Sequence, residues 1–189
     1  NKGAAYSRNI ALIESKGEWI AFLDSDDIWE PKKLEEQIKF MMDSNCWFSY
    51  TDYREFKDNI NNCRAIVSGP DEISKIDMYK YCWLGCLTVM YNAKQIGIVQ
   101  ASLIRKNNDY AMWLCIIKHT KCLRLKKILA NYRKARDGSI SSDNITKLIK
   151  SHYILYRKSE GFGVFLSTFC CIINLLYGTI KKISYRKRV

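Results

Sequence analysis

Three carboxylates stand within four positions, Asp24, Asp26 and Asp27, in the run Trp19-Ile20-Ala21-Phe22-Leu23-Asp24-Ser25-Asp26-Asp27-Ile28-Trp29-Glu30-Pro31. Charges of one sign this close raise one another's pKa unless a cation keeps them ionised. Their hard oxygens suit Mg2+ or Mn2+, ions that also take phosphate oxygens as ligands. The plainer alternative is an aspartate capping the helix that follows. The five apolar residues ahead, Trp19 to Leu23, tip the balance towards a site. They read as a strand buried on both faces, which usually means a parallel sheet covered by helices. Carboxylates just past such a strand lie at the C-terminal edge of the sheet, where open α/β folds keep their ligands. A further carboxylate, Asp109, precedes an apolar run at helical spacing, with Met112/Ile116 and Trp113/Ile117 as i, i+4 pairs. By position alone Asp109 reads as a helix cap before it reads as a catalytic group. Neither His119 nor His152 has neighbours that would make it the base of a Ser or Cys nucleophile, and the eight cysteines include no CxxC pair.

The elements that must position these groups follow in order. Residues 4–15 read as a helix ended by Gly17, and a strand follows over 18–23. Pro31 suits the first turn of the next helix. There Leu34, Ile38 and Met41 form the apolar side and Lys32, Lys33, Glu35, Glu36 and Lys39 are left for solvent. Residues 46–53 are aromatic and β-branched enough for a strand, with Asp52 near its end as either a second acceptor-side carboxylate or a turn residue. Residues 57–72 read as an irregular loop, 72–80 as a short helix, 84–91 as a strand, and 122–134 as two short strand-like runs. An amphipathic helix begins at Ile145. An apolar run over 162–177 is followed by Lys181, Lys182, Arg186, Lys187 and Arg188. That run is short for a span and interrupted by Ser167, Thr168 and Asn174, so it reads as an interfacial helix on anionic lipid or as a helix docked on the domain.

A length of 189 residues with 48% hydrophobic content suits one packed domain. The net charge of +12 is unevenly spread. Residues 1–104 carry 12 basic and 15 acidic side chains, and residues 105–189 carry 19 basic and 4 acidic ones. Such a split implies a basic face towards phosphates or anionic lipid, and no nucleic-acid-binding motif accompanies it. Cysteines inside apolar runs behave as small hydrophobes and imply a reducing compartment.

Asn1-Lys2-Gly3-Ala4-Ala5-Tyr6-Ser7-Arg8-Asn9, followed by Gly17-Glu18-Trp19 through to Trp29, resembles the family 2 glycosyltransferases of GT-A fold. The family pattern is an Asn-Gly loop, an Ala-Arg-Asn helix, a Gly-Glu turn, a strand and a DxD-type motif. Asn108-Asp109-Tyr110-Ala111-Met112-Trp113-Leu114 is similar to the family's "E-D-Y-x-x-W-L" element, with Asn108 and Ala111 at positions usually acidic. Leu129 to Arg133, followed by Arg136 to Ser142, is similar to the element that closes the catalytic domain over the donor phosphates.

The resemblance implies an α/β GT-A fold, a Rossmann-like mixed sheet with flanking helices whose first strands are missing, and C-terminal amphipathic helices. Residues 1–143 would be the C-terminal part of the catalytic domain and 144–189 a helical basic tail. It implies a nucleotide-diphosphate sugar donor held by Gly3, Arg8, Asp24, Ser25, Asp26 and Arg133 (or Arg136). Mn2+ or Mg2+ would sit on Asp24 and Asp26, with Asp109 as the base of an inverting transfer and Trp113 on the acceptor side. The acceptor would be a glycan or lipid-linked, in cell-surface polysaccharide synthesis at the cytoplasmic face of a bacterial membrane, with an anionic membrane surface and no nucleic acid as partner. The sequence opens mid-motif, so the rival expectation is an inactive truncated remnant or a membrane-surface binding protein.

Overall fold

The computed structural model describes residues 3–134 and 145–189. Arg136 and the Ser139–Ser142 stretch lie outside the described residues. The sheet is built round β3 (Phe48–Phe56), which uses both of its edges. Along one edge it pairs antiparallel with β6 (Met90–Asn92) at Phe48 and Ser49, and then with β4 (Cys63–Val67) from Tyr53 to Phe56. Along the other it runs parallel to β7 (Cys122–Arg133). This is one continuous strand of 12 residues where two short runs were expected. Its register against β3 shifts at Asp52, which partners Ile128 after Thr51 has partnered Leu125. The displaced Lys126 and Lys127 reach outwards to Asp71 at 2.6 Å and Glu36 at 2.6 Å. β4 occupies part of the stretch expected to be an irregular loop, and β5 (Glu72–Ile73), antiparallel to β7, takes the start of the expected 72–80 helix. The expected strand over 84–91 is a 3-10 turn at Cys86–Thr88 and then β6.

The strand ahead of the acidic triplet is shorter than expected and differently placed. Among the described residues β1 (Trp19–Ala21) pairs antiparallel with β6, Ile20 opposite Tyr91. Ile20 is buried while Trp19 and Ala21 are half-buried. The sheet is therefore mixed, and among the described residues β3 and β7 form its parallel pair. A run of apolar residues marks a strand but does not say whether its neighbour will run parallel or antiparallel to it.

Helices α1 (Ala4–Glu14), α2 (Lys33–Asp43), α3 (Lys75–Lys80), α4 (Ala93–Ile96) and α5 (Asn108–Ile116) flank the sheet. The main core gathers Phe22, Phe48, Tyr91 and Trp113 with the apolar face of α5. Tyr50 closes one side, its hydroxyl donating to the Pro70 carbonyl at 2.5 Å. A Cβ on Gly69 would lie 2.5 Å from that hydroxyl, so no side chain fits there. Asp52 is neither a site carboxylate nor a turn residue. It is buried in β3, where Arg124 donates to both of its oxygens at 2.8 Å.

The C-terminal elements pack on this body. α6 (Ile145–Ile154) runs into a π-helical turn at Leu155–Ser159, and α7 (Val164–Ser184) then lies against α3 and α6. Gly178 brings α7 close to Tyr81, whose ring a Cβ there would meet at 3.2 Å. β8 (Arg186–Arg188) adds to the sheet antiparallel to β4. Against the effect of its burial, hydrogen bonds from Arg186 and Lys134 hold the Glu55 carboxyl below the usual carboxylate range. All eight cysteines are free thiols.

Lys33 corrects the expected solvent face of α2. The buried residues of that helix are Lys33, Gln37 and Met41, whereas Leu34 is exposed. Lys33 Nζ donates to Gln37 Oε1 at 2.5 Å and lies 4.7 Å from the centre of the Trp29 ring. Gln37 passes the chain on to Ser49 Oγ and the Thr88 carbonyl, each at 3.0 Å. Burial lowers the Lys33 pKa to about 7. Unfolding therefore takes up a proton between that value and the ordinary lysine range, and stability rises with pH across this interval. We expect the stability of the wild type minus that of Lys33→Met to grow by on the order of 3 kcal/mol between about pH 7 and pH 10, read from urea midpoints. A difference flat in pH would show that Lys33 stays charged in the fold.

Candidate active site

Past β1 the chain leaves the core in two residues. Phe22 is buried, stacked on Tyr91 at 6.4 Å and edge-on to Trp113 at 5.2 Å. Leu23, Asp24 and Ser25 are exposed, Asp26 is half-buried and Asp27 is buried again. The Asp27 N–H donates to the Asp24 carbonyl at 3.0 Å, closing the turn. Asp27 Oδ1 accepts the Arg133 N–H at 3.0 Å, and Arg133 Nε donates to the Asp26 carbonyl at 3.2 Å. Arg133 Nη1 reaches the Lys57 carbonyl, and its guanidinium lies 4.7 Å over the Phe56 ring. β2 (Ile28–Trp29) then pairs with β7, and Trp29 Nε1 donates to the Leu87 carbonyl at 2.7 Å. The acidic turn is thus fastened at both ends while Asp24 and Ser25 project. Burial, with Asp26 and Asp24 nearby, pushes the Asp27 carboxyl up to about 6 against the pull of the Arg133 N–H.

Arg8, on α1, joins this turn to α5. Its Nη2 donates to Asp24 Oδ1 at 3.1 Å and its Nη1 to Asn108 Oδ1 at 2.7 Å. A planar guanidinium fork suits two oxygens from different elements. α1 begins at Gly3, whose φ of 87° belongs to the left-handed region that favours glycine. Asp109 occupies the first turn of α5, its Oδ1 accepting the Tyr110 N–H at 2.8 Å. The N-cap itself is Asn107, in the left-handed region at φ 59°. Burial raises the Asp109 pKa, while the Tyr110 N–H and the Arg8 charge act the other way. Asp24, Arg8, Asn108 and Asp109 therefore form one cluster from three parts of the chain.

Two more residues join the cluster, Asn108 from the resembled element and Cys86, to which the sequence reading gave no role. Asn108 accepts from Arg8 at a position usually acidic in the resembled pattern, so an acceptor oxygen is kept with one negative charge fewer. The Cys86 thiol lies within electrostatic reach of Asp109, Arg8 and Asp24, and burial raises its pKa well above the ordinary thiol value. Trp113 departs from its expected acceptor-side position. It has no exposed surface, packs between Phe22 and Phe48, and supports the site from beneath.

Among the described residues no three His, Cys, Asp or Glu side chains gather into a group able to hold an ion. Asp24 and Asp26 offer hard oxygens on a projecting turn, the donor set of a Mg2+-type site completed by substrate phosphates and water. The residues present fit such an ion.

The profile described as "Glycosyl transferase family 2" matches residues 1–84. The "Putative teichuronic acid biosynthesis glycosyltransferase TuaG" of Bacillus subtilis (strain 168) is 37% identical over 173 residues, covering 91% of this chain and 68% of the relative. The "UDP-Glc:alpha-D-GlcNAc-diphosphoundecaprenol beta-1,3-glucosyltransferase WfaP" of Escherichia coli is 36% identical over 188 residues, covering 99% of this chain and 73% of the relative. In fold the chain is similar to residues 1–349 of S. aureus TarS, solved in complex with UDP-GlcNAc. That likeness has a TM-score of 0.61 at 14% identity, over 82% of this chain and 46% of that one. The chain thus spans about half of the solved structures and about 70% of these two curated relatives. The mixed sheet flanked by helices agrees with the GT-A architecture.

Arg133 serves the acidic turn through geometry as well as charge. Arg133→Lys keeps the cation and loses the Nε contact and the flat face over Phe56. We expect it to lower stability by about 1 kcal/mol, measured by thermal or urea unfolding. A variant as stable as wild type would show that the turn holds without Arg133.

Proposed function

Because the chain belongs to glycosyl transferase family 2, we propose that it carries the metal-binding, diphosphate-facing and base-bearing part of an enzyme that moves a hexosyl group from a nucleoside-diphosphate sugar to a lipid-linked glycan acceptor in cell-surface polysaccharide synthesis. One observation carries this reading: the fork of Arg8 holds Asp24 of the acidic turn beside the Asn108–Asp109 start of α5. A charge-stabilising group and a basic group thereby face one space.

In this reading the acceptor hydroxyl gives its proton to Asp109 as its oxygen attacks the anomeric carbon. The carbon–oxygen bond to the diphosphate breaks from the opposite side, and the configuration inverts. Burial raises the Asp109 pKa, which makes its carboxylate a stronger base than a solvated one, and the Arg8 charge opposes part of that rise. Asp24 and Asp26 would hold Mn2+ or Mg2+, which when bound supplies positive charge to the leaving diphosphate. The left-handed turn at Gly3, the cation of Arg8, the projecting Ser25 and the clamp of Arg133 face the donor. Arg133 contributes by fixing the turn, since its Nε and one terminal nitrogen serve backbone carbonyls. The Escherichia coli relative named for a diphosphoundecaprenol-linked acceptor supports a lipid-linked acceptor. In this reading that acceptor is met at the inner face of the cytoplasmic membrane, with catalysis in residues 1–143 and membrane contact in 144–189.

Asp109→Asn is expected to lower kcat by about 100- to 10,000-fold with the donor KM changed by less than about threefold. Asp24→Asn and Asp26→Asn are expected to abolish transfer. EDTA should inactivate the wild type reversibly, with Mn2+ or Mg2+ restoring activity. Transfer is read with radiolabelled UDP-sugar on lipid-diphosphate-linked acceptor, using the whole protein. An Asp109→Asn protein that keeps more than about a tenth of wild-type kcat removes the base from Asp109.

A further inference from the structure

α7 is amphipathic in an unusual sense: one face is packed and the opposite face is apolar and open. Phe165, Phe169, Ile172, Leu176, Ile180 and Ile183 are exposed by 42% to 92%. At 100° per residue they fall within an arc of about 80°. Ser167, Cys170, Cys171 and Asn174 point the other way and are buried against the body. The helix of 21 residues is about 32 Å long, so the stripe runs the length of a small domain. Its length and composition would suffice to cross a membrane. In this fold the helix lies on the body instead, its inner face against α3 and α6 and Lys181 Nζ donating to the Trp83 carbonyl at 2.7 Å.

The charge around the stripe says what covers it. Residues 145–189 carry nine basic side chains and one acidic one, Glu160. The Glu160 side chain is 2% exposed and paired with Lys118 at 2.8 Å. The described acidic group of this segment is therefore hidden, while Lys147 and Lys150 on α6 and Lys182, Lys187 and Arg188 at the far end of α7 are exposed. A second copy of the same face would bring these cations against one another. Apolar acyl chains beneath anionic headgroups match both the stripe and the cations.

We propose that the outer face of α7 is a docking surface for an anionic bilayer, on which the helix lies in the plane of the interface with the catalytic body above it. This deepens the functional reading and rests on it for its purpose, namely bringing the site to an acceptor anchored in lipid. The surface itself stands on exposure and charge alone.

The test is co-sedimentation of the whole protein with extruded vesicles, with neither sugar donor nor acceptor present, so its outcome is independent of transferase activity. Binding is expected to vesicles rich in phosphatidylglycerol and to fall sharply on pure phosphatidylcholine or in high salt. Phe169→Ser with Ile172→Ser should weaken binding by about tenfold or more. Lys182→Glu with Lys187→Glu should weaken it by about fivefold per cation removed. Phe169→Trp reads the same contact without a destabilising change: its fluorescence should be quenched by lipids brominated on the acyl chains. Equal binding to zwitterionic vesicles, no loss with the serine pair, or no quenching at Phe169→Trp would overturn the proposal. So would a dimer of the wild type that the serine pair makes monomeric. Vesicle binding without sugar transfer would leave this surface standing and remove the enzymatic reading.

Discussion

The edge-on contact of Phe22 with Trp113, 5.2 Å between ring centres, holds the acidic turn beside the start of α5. Phe22 follows β1 directly and lies two residues before Asp24, and Trp113 lies one helical turn after Asp109. Seating the two rings together in the core brings the mouth of the acidic turn to the start of α5. Arg8 then needs only to span what the rings have placed side by side. The two interactions differ in kind. The ring contact is apolar and non-directional in its main driving force, and it brings the elements together. The guanidinium fork is directional and sets how the carboxylates face. Trp113 therefore matters to the site without touching anything in it.

Much of this was legible from residues close in sequence. The α1-turn-β1 unit, the acidic turn and the start of α5 announce themselves through Gly3, the apolar run to Leu23 and Asp109, whereas α1 ends at Glu14 with Ser15 as its cap, ahead of the expected Gly17. What eluded the sequence depends on distant partners. The antiparallel partner of Trp19–Ala21 is β6, some 70 residues away. Asp52 looked like a site carboxylate only until Arg124 took both of its oxygens. Lys33 was placed outside by its charge, since pattern reading has no means of foreseeing a glutamine, an indole and a long aliphatic stem that together bury a lysine. Trp113 was misplaced for the converse reason: a motif position says which residue recurs and not which way it points.

The C-terminal third shows the same division. Its helices follow from periodicity, but the strand β8, the Arg186–Glu55 pair and the ring cluster of Tyr81, Trp83, Tyr177 and Tyr185 arise from docking. That docking divides the basic residues into two populations. Lys181 and Arg186 bind the tail to the body, whereas Lys182, Lys187 and Arg188 remain at the surface. A net charge summed over the segment conceals this difference, and only the second population can act at a distance.

The free cysteines give the molecule a chemical temperament of its own. Burial raises the thiols of Cys46 and Cys171 to about 11 and that of Cys82 to about 12, and it raises Cys86 and Cys122 as well. At neutral pH roughly one Cys46 in ten thousand is a thiolate, and thiolate is the species that attacks a disulfide or an alkylating reagent. A chain rich in cysteine is thereby made slow to react through them. The sulfur of these five serves as packing volume, and mild oxidants meet them protonated.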